Sequence, residues 1–192
     1  WLHEKGADGS TREAPQSKHV RIGPSEENHQ TTWCAEKAIQ FIEQAEGFDQ
    51  PWLFSVNIFD PHHPFDPPEE YLKPYLEKLD EIPLPNYVEG ELEDKPTYQR
   101  YDHGGAYGHG AGFPYDALSD TDHRMIRAAY FAMCDLIDVQ VGKMLDALNV
   151  TGEELVLVIG AGLGYTTALI ARIAEAVVAV DVDAARASEA QS

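Results

Sequence analysis

The sequence predicts a mixed α/β protein, and three observations carry that expectation. Apolar runs at 52–59, 155–159 and 177–182 read as buried strands. Two segments, 33–46 and 120–148, repeat apolar residues at helical spacing. A tight glycine turn at 160–164 joins a strand to an alanine-rich stretch that reads as a helix. At 192 residues the chain has room for one domain, or one and a part. Hydrophobic residues make up 43%, enough for a core. The formal charge of -19 repels phosphate backbones and anionic lipid, which disfavours nucleic-acid and membrane-surface roles. No apolar run reaches the roughly 18–20 residues of a membrane span. The opening Trp1-Leu-His-Glu-Lys5 has neither an initiator Met nor an apolar signal core, so the natural N-terminus is expected upstream and no compartment is assigned.

Residues 1–30 are polar and broken by Gly6, Gly9, Pro15, Gly23 and Pro24, so they read as an irregular surface segment. Thr31 and Thr32 offer N-caps for a helix over 33–46, with Cys34, Ala38, Phe41, Ile42 and Ala45 on its apolar face. Gly47 and Pro51 end it. The aromatic and β-branched run 52–59 reads as a strand, stopped by Asp60-Pro-His-His-Pro-Phe-Asp-Pro-Pro68. Ten of the 12 prolines lie between 51 and 114, so that stretch is mostly loop, with a short helix expected at 69–79 and a glycine-rich segment at 104–112. Ser119-Asp-Thr-Asp122 resembles a capping box opening the long helix 120–148. Its expected apolar face runs Ile126, Ala129, Met133, Leu136, Ile137, Val141, Met144, Leu145 and Leu148. Strand 155–159, helix 165–175 and strand 177–182 make a βαβ unit, with Asp183 opening a further helix. Cys34 and Cys134 cannot build a disulfide framework or a four-ligand zinc site, and read as small buried hydrophobes.

An ordered set of segments within 31–148 resembles the middle of a sulfatase of the alkaline-phosphatase superfamily. The set is the helix Cys34–Glu43, the strand Pro51–Phe59, the Asp60–Pro68 loop, Pro67-Pro-Glu-Glu-Tyr-Leu72, and Arg127-Ala-Ala-Tyr-Phe-Ala-Met-Cys-Asp-Leu-Ile-Asp-Val-Gln-Val-Gly142. The resemblance implies incomplete sulfatase-like layers over 1–148 and hydrolysis of small-molecule sulfate esters. In that family a formylglycine made from Cys-x-Pro-x-Arg attacks sulfur, and a divalent cation, usually calcium, holds the sulfate. Pro61-His62-His63-Pro64 matches the family's Pro-His-x-Pro, so His62 is the implied catalytic, sulfate-contacting histidine, while His63 reads as a loop residue. Neither cysteine stands in Cys-x-Pro-x-Arg, and the family's early paired aspartates are expected upstream of Trp1. Asp102-His103-Gly104-Gly105 copies the letters of a later metal motif but precedes the long helix instead of following a strand. No metal ligand is therefore assigned.

From about Asn149 the chain resembles class I S-adenosylmethionine-dependent methyltransferases, most closely the protein-L-isoaspartate O-methyltransferases. The residues that carry this are Glu154-Leu-Val-Leu-Val-Ile-Gly-Ala-Gly-Leu-Gly-Tyr165 and Val177-Val-Ala-Val-Asp181. The resemblance implies a Rossmann-like βαβ unit over 149–192, with Gly160, Gly162 and Gly164 passing close to S-adenosylmethionine and Asp181 on its ribose. A nicotinamide dinucleotide fits less well, because its third glycine would fall at Tyr165. One βαβ unit supplies one edge of such a site, so weak or absent affinity is expected.

The absence of a linker around 142–149 suggests a truncated sulfatase joined to a truncated methyltransferase, natural or artefactual. Three functional readings follow: a sulfatase-type hydrolase fragment without turnover of its own, a methyltransferase-related binding module, and a catalytically dead relic. Because an apolar strand follows the long helix in sulfatases, strands 52–59 and 155–159 are expected to share a sheet. The sequence assigns no oligomeric state.

Overall fold

The computed structural model describes residues 1–45, 47–50, 52, 54–105 and 112–148, and the backbone of 155–159 and 176–180. It divides into two compact units, Trp1–Gly142 and Lys143–Ser192.

The first unit begins with the short helix α1 (Leu2–Lys5) and a hairpin of β1 (Arg12–Ala14) and β2 (Ser17–Ile22). The strands pair antiparallel, with a register shift between Glu13 and Ala14. The expected irregular surface segment is thus partly a sheet that builds the core: Val20 is fully buried and Ile22 nearly so. The signal was the alternation Val20-Arg21-Ile22, short enough to be masked by the glycines and prolines around it.

Helix α2 (Gln30–Ala45) starts earlier than expected, and the threonines are not its caps. His29 does the capping: its Nδ1 accepts from the Thr31 amide at 3.3 Å, and its carbonyl accepts from the Trp33 amide at 3.1 Å. Thr31 and Thr32 instead lie buried in the first turn. The Gly47 and Phe48 amides close the C-terminal end on Gln44 and Ala45.

Described residues of the 52–59 run form no strand. The run is exposed at Trp52, Phe54, Val56 and Phe59. It leans on α2 through Phe41, whose ring stacks on Phe54 at 4.2 Å and meets Trp52 edge-on at 5.1 Å. The expectation of a buried strand fails for a physical reason: a strand apolar on both faces needs partners on both sides, and none pairs with it among the described residues.

Helix α3 (Glu69–Leu76) stops short of the expected end. Pro74 removes the amide that would bond back to Glu70, and a 3-10 turn, Leu79–Glu81, takes over. Helix α4 (Thr97–His103) follows, and 106–111 of the glycine-rich segment lie outside the described residues.

Helix α5 (Asp120–Ala147) has the expected span and the expected capping box. The Asp122 amide donates to Ser119 Oγ and the Ser119 amide to Asp122 Oδ2, both at 3.1 Å. Its buried face is rotated from the expected one, to Met125, Ala128, Ala129, Ala132, Met133, Leu136 and Gln140. The buried alanines pack in one cluster with Val20 and Ile22 of the hairpin and Leu72 of α3. Ala14, Val20, Ile22, Leu72, Leu79, Ile82 and the first half of that face form one core cluster. Arg124 and Arg127 then tie down the chain after α3, donating to the carbonyls of Ile82 (3.0 Å), Pro83 (2.6 Å) and Leu84 (3.1 Å).

In the second unit β3 (Leu155–Ile159) pairs in parallel with β4 (Ala176–Val180), Leu155 opposite Ala176 through Ile159 opposite Val180. Among the described residues this two-stranded sheet contains only β3 and β4, and the expected sheet shared with 52–59 is not seen there. The expected helix 165–175, the Asp183 helix start, and Gly160, Gly162, Gly164 and Asp181 lie outside the described residues.

Candidate functional site around the proline-histidine loop

The loop 60–68 is held from two sides. On one side it runs beside β2. The Arg21 amide donates to the Phe65 carbonyl at 2.8 Å and the Gly23 amide to Pro67 at 2.9 Å, with Val20 and Phe65 bridged in parallel. Gly23 is required by this approach: a Cβ there would lie 2.0 Å from the Asp66 carbonyl oxygen. On the other side the loop begins at Asp60, which is buried against the start of α2. Its carboxylate accepts from the Thr31 hydroxyl and from Gln30 Nε2 at 3.1 Å. The bonds Asp60–Pro61 and His63–Pro64 are both cis.

Between these anchors His62 is exposed to solvent. Its Nδ1 lies 2.7 Å from the His63 carbonyl, which can only accept, so Nδ1 carries the proton. The imidazole is packed between Phe59, at 4.9 Å, and His63, stacked at 4.2 Å. The ring is therefore positioned by its neighbours rather than left to rotate.

His63, expected to be a plain loop residue, lines a cleft of about 590 Å³ with Phe65, Asp102, Phe113, Tyr115 and His123 among its walls. Asp102 and His103 do not converge. Asp102 faces this cleft, whereas His103 stacks on Tyr115 and meets Tyr87 at a tilt, both at 4.7 Å, with Nε2 3.8 Å from Asp116. The cysteines lie in α2 and α5 and are half-buried rather than buried. Burial, with Asp60 adding its charge at Cys34 and Asp135 at Cys134, pushes both thiols up.

Among the described residues one group of potential ligands converges: His29, Asp60 and Asp66. Sequence reading missed it because the three are separated along the chain and no spacing rule joins them. This trio does not fit the calcium of sulfatases. Calcium takes six to eight oxygen ligands, and the paired-aspartate and strand-borne motifs that supply them are absent from these residues.

No family model matches the chain. It is 30% identical over 126 residues to the uncharacterized sulfatase YidJ of Escherichia coli (strain K12), an alignment that covers 64% of this chain and 23% of that protein. It is 31% identical over 117 residues to iduronate 2-sulfatase of Homo sapiens, covering 59% of this chain and 21% of that one. It is 27% identical over 129 residues to the multifunctional alkaline phosphatase superfamily protein PehA of Trinickia caryophylli, covering 64% and 24%. The chain thus spans less than a quarter of the length of each of these relatives. None of these relatives supports the methyltransferase resemblance of 149–192. Over about 60% of its length, the chain is similar to sulfatases of the alkaline-phosphatase superfamily.

Proposed function

We propose that residues 1–148 are a portion of a sulfatase-type hydrolase and that His62 is its sulfate-contacting histidine. The observation that supports this is the presentation of His62: exposed on an anchored loop, with Nδ1–H committed to the His63 carbonyl. With Nδ1 turned to the His63 carbonyl, Nε2 is the ring nitrogen the family role assigns to the sulfate. Protonated, Nε2 donates to a sulfate oxygen or to the departing alcohol oxygen, the role general acids fill in ester cleavage. In the resembled family formylglycine and a divalent cation supply the nucleophile and the charge neutralisation. The residues here fit neither, so His62 binds without turnover. Removing one member of a cooperating catalytic set already costs orders of magnitude in rate. The test is an aryl sulfate added to the 192-residue chain with calcium present. The expected result is a shift of the His62 imidazole NMR signals on addition, weaker aryl sulfate binding in His62→Ala, and no product. Product formation abolished by His62→Ala would overturn the claim of inactivity. No shift at His62 would overturn its assignment.

A second reading attaches to 149–192. The parallel pairing of β3 with β4 is how strands of any βαβ unit pair, and the sequence resemblance alone adds to it a methyltransferase-like edge with Gly160, Gly162, Gly164 and Asp181 around S-adenosylmethionine. Calorimetry tests it: micromolar binding lost in Asp181→Ala supports a working site, whereas no heat leaves a βαβ unit without a ligand.

A further inference from the structure

We propose that the cleft beside the proline-histidine loop is a binding site for a small organic cation, an alkylated ammonium group held on aromatic rings and opposite the Asp102 carboxylate. This does not rest on the sulfatase reading, in which the ligand is an anion at His62.

Four observations carry it. First, the cleft has a volume of about 590 Å³, a size usual for small-molecule sites. Second, its walls are largely aromatic, and the rings are steeply inclined to one another. Phe113 stands at 73° to Phe65, 5.3 Å away, and at 75° to His63, 5.5 Å away. Tyr115 adds a phenol ring to the same cleft. Rings so inclined do not stack together on one flat ligand. A compact, rounded cation meets π-electron density from several directions, the arrangement that recognises alkylated ammonium groups.

Third, Asp102 is the one carboxylate among the described residues that line the cleft, and no lysine or arginine is among them. An anion meets no fixed positive charge there, whereas a cation gains a carboxylate in addition to the rings. The formal charge of -19 raises the local concentration of cations further. Alkyl groups on the nitrogen matter, because a bare ammonium or sodium ion gives up its water at greater cost and gains nothing from apolar walls.

The fourth observation is the backbone of Phe113. Its φ of 54° lies in the left-handed region, and it is the one non-glycine residue there among the described residues. Bulky side chains rarely adopt this conformation. Phe113 is only half-buried and stands outside the core cluster, so core packing does not account for it. What the conformation achieves is to set the ring against Phe65 and His63, as a wall of the cleft.

The probe is tetramethylammonium, added to the 192-residue chain at pH 8 in about 150 mM NaCl, so that sodium competes for the diffuse attraction of the acidic surface. The control is tert-butanol, a compact alkyl group without charge. The expected result is a saturable shift of the Tyr115 ring NMR signals, half-complete below about 1 mM, with tert-butanol at least about tenfold weaker. Asp102→Asn and Phe113→Leu are each expected to weaken binding at least about threefold. Asp102 is exposed, so its substitution leaves the fold intact, and it decides alone if Phe113→Leu lowers the Tm. Equal binding of tert-butanol would overturn the proposal by showing an apolar cleft indifferent to charge. Binding undiminished in Asp102→Asn, or no saturable shift, would overturn it as well.

Discussion

Replacing Asp122 with alanine removes a carboxylate that joins the start of α5 to the start of β2. It accepts from the Ser119 amide at 3.1 Å, the Ser119 hydroxyl at 2.6 Å and the Ser17 hydroxyl at 2.6 Å. Burial alone would raise this carboxyl. The Ser119 and Ser17 hydroxyls, the Ser119 amide and the facing His19 outweigh it and hold the group at about 2. A fall from the ordinary 3.8 to about 2 is equivalent to at most about 2.5 kcal/mol. The position is half-exposed, so solvent screens part of this and about 1–2 kcal/mol remains, in line with the usual cost of losing a helix cap. The sign follows from a depressed folded-state value. The stabilisation is complete above the unfolded-state value and is lost as pH falls from 3.8 toward 2. Urea denaturation of both proteins at pH 7, 5, 4 and 3.5 reads this directly. Asp122→Ala should be less stable by about 1–2 kcal/mol at the two higher values, with the gap narrowing at the lower two. A gap below about 0.3 kcal/mol at pH 7, or one that widens toward acid, would refute the reasoning. Ser17→Ala measured alone and in the double mutant then separates the tie to β2 from the cap.

Three further outcomes are expected. Gly23→Ala should lower stability by about 1–3 kcal/mol in urea denaturation, because its Cβ meets the Asp66 carbonyl at 2.0 Å; an unchanged midpoint would show that the loop sits farther from β2. Leu72→Ala, which empties a fully buried site beneath the hairpin, should cost about 2–5 kcal/mol by the same assay, and a loss under 1 kcal/mol would place Leu72 outside the core. Cys34 and Cys134, with raised thiol values, should react with iodoacetamide more slowly than a free peptide thiol at pH 7.5 and catch up as pH rises; equal rates at pH 7.5 would contradict their half-buried setting.

What was legible in the sequence was local. The span of α5, its capping box and the bounds of β3 follow from periodicity and cap chemistry, which act within a few residues. The resemblance to sulfatases also came from ordered segments. The errors arose where distant chain decides. Which stripe of α5 faces inward depended on its packing partners in β2 and α3, Val20, Ile22 and Leu72, which lie far away in sequence. The fate of 52–59 depended on neighbouring strands, and its apolar character alone could not supply them. His62 was visible because its prolines mark it. His29, Asp60 and Asp66 come together through the pairing of β2 with 65–67 and the packing of α2, and no short-range pattern encodes that.

The exposed run 52–59 has a consequence for how copies of the molecule behave together. It is uncharged and free of proline. Its backbone groups pair with no strand among the described residues, the condition under which like segments zip into cross-β stacks. Asp49 and Pro51 stand before it and Asp60 and Pro61 after it, gatekeepers of the kind that interrupt such stacking. Beyond them, the mutual repulsion of chains carrying a formal charge of -19 keeps these edges apart. Salt shortens the reach of that repulsion to about 3 Å at 1 M, well inside the width of a strand pair. Colloidal stability should therefore track ionic strength rather than melting temperature, with light scattering rising at high salt while the fold remains intact.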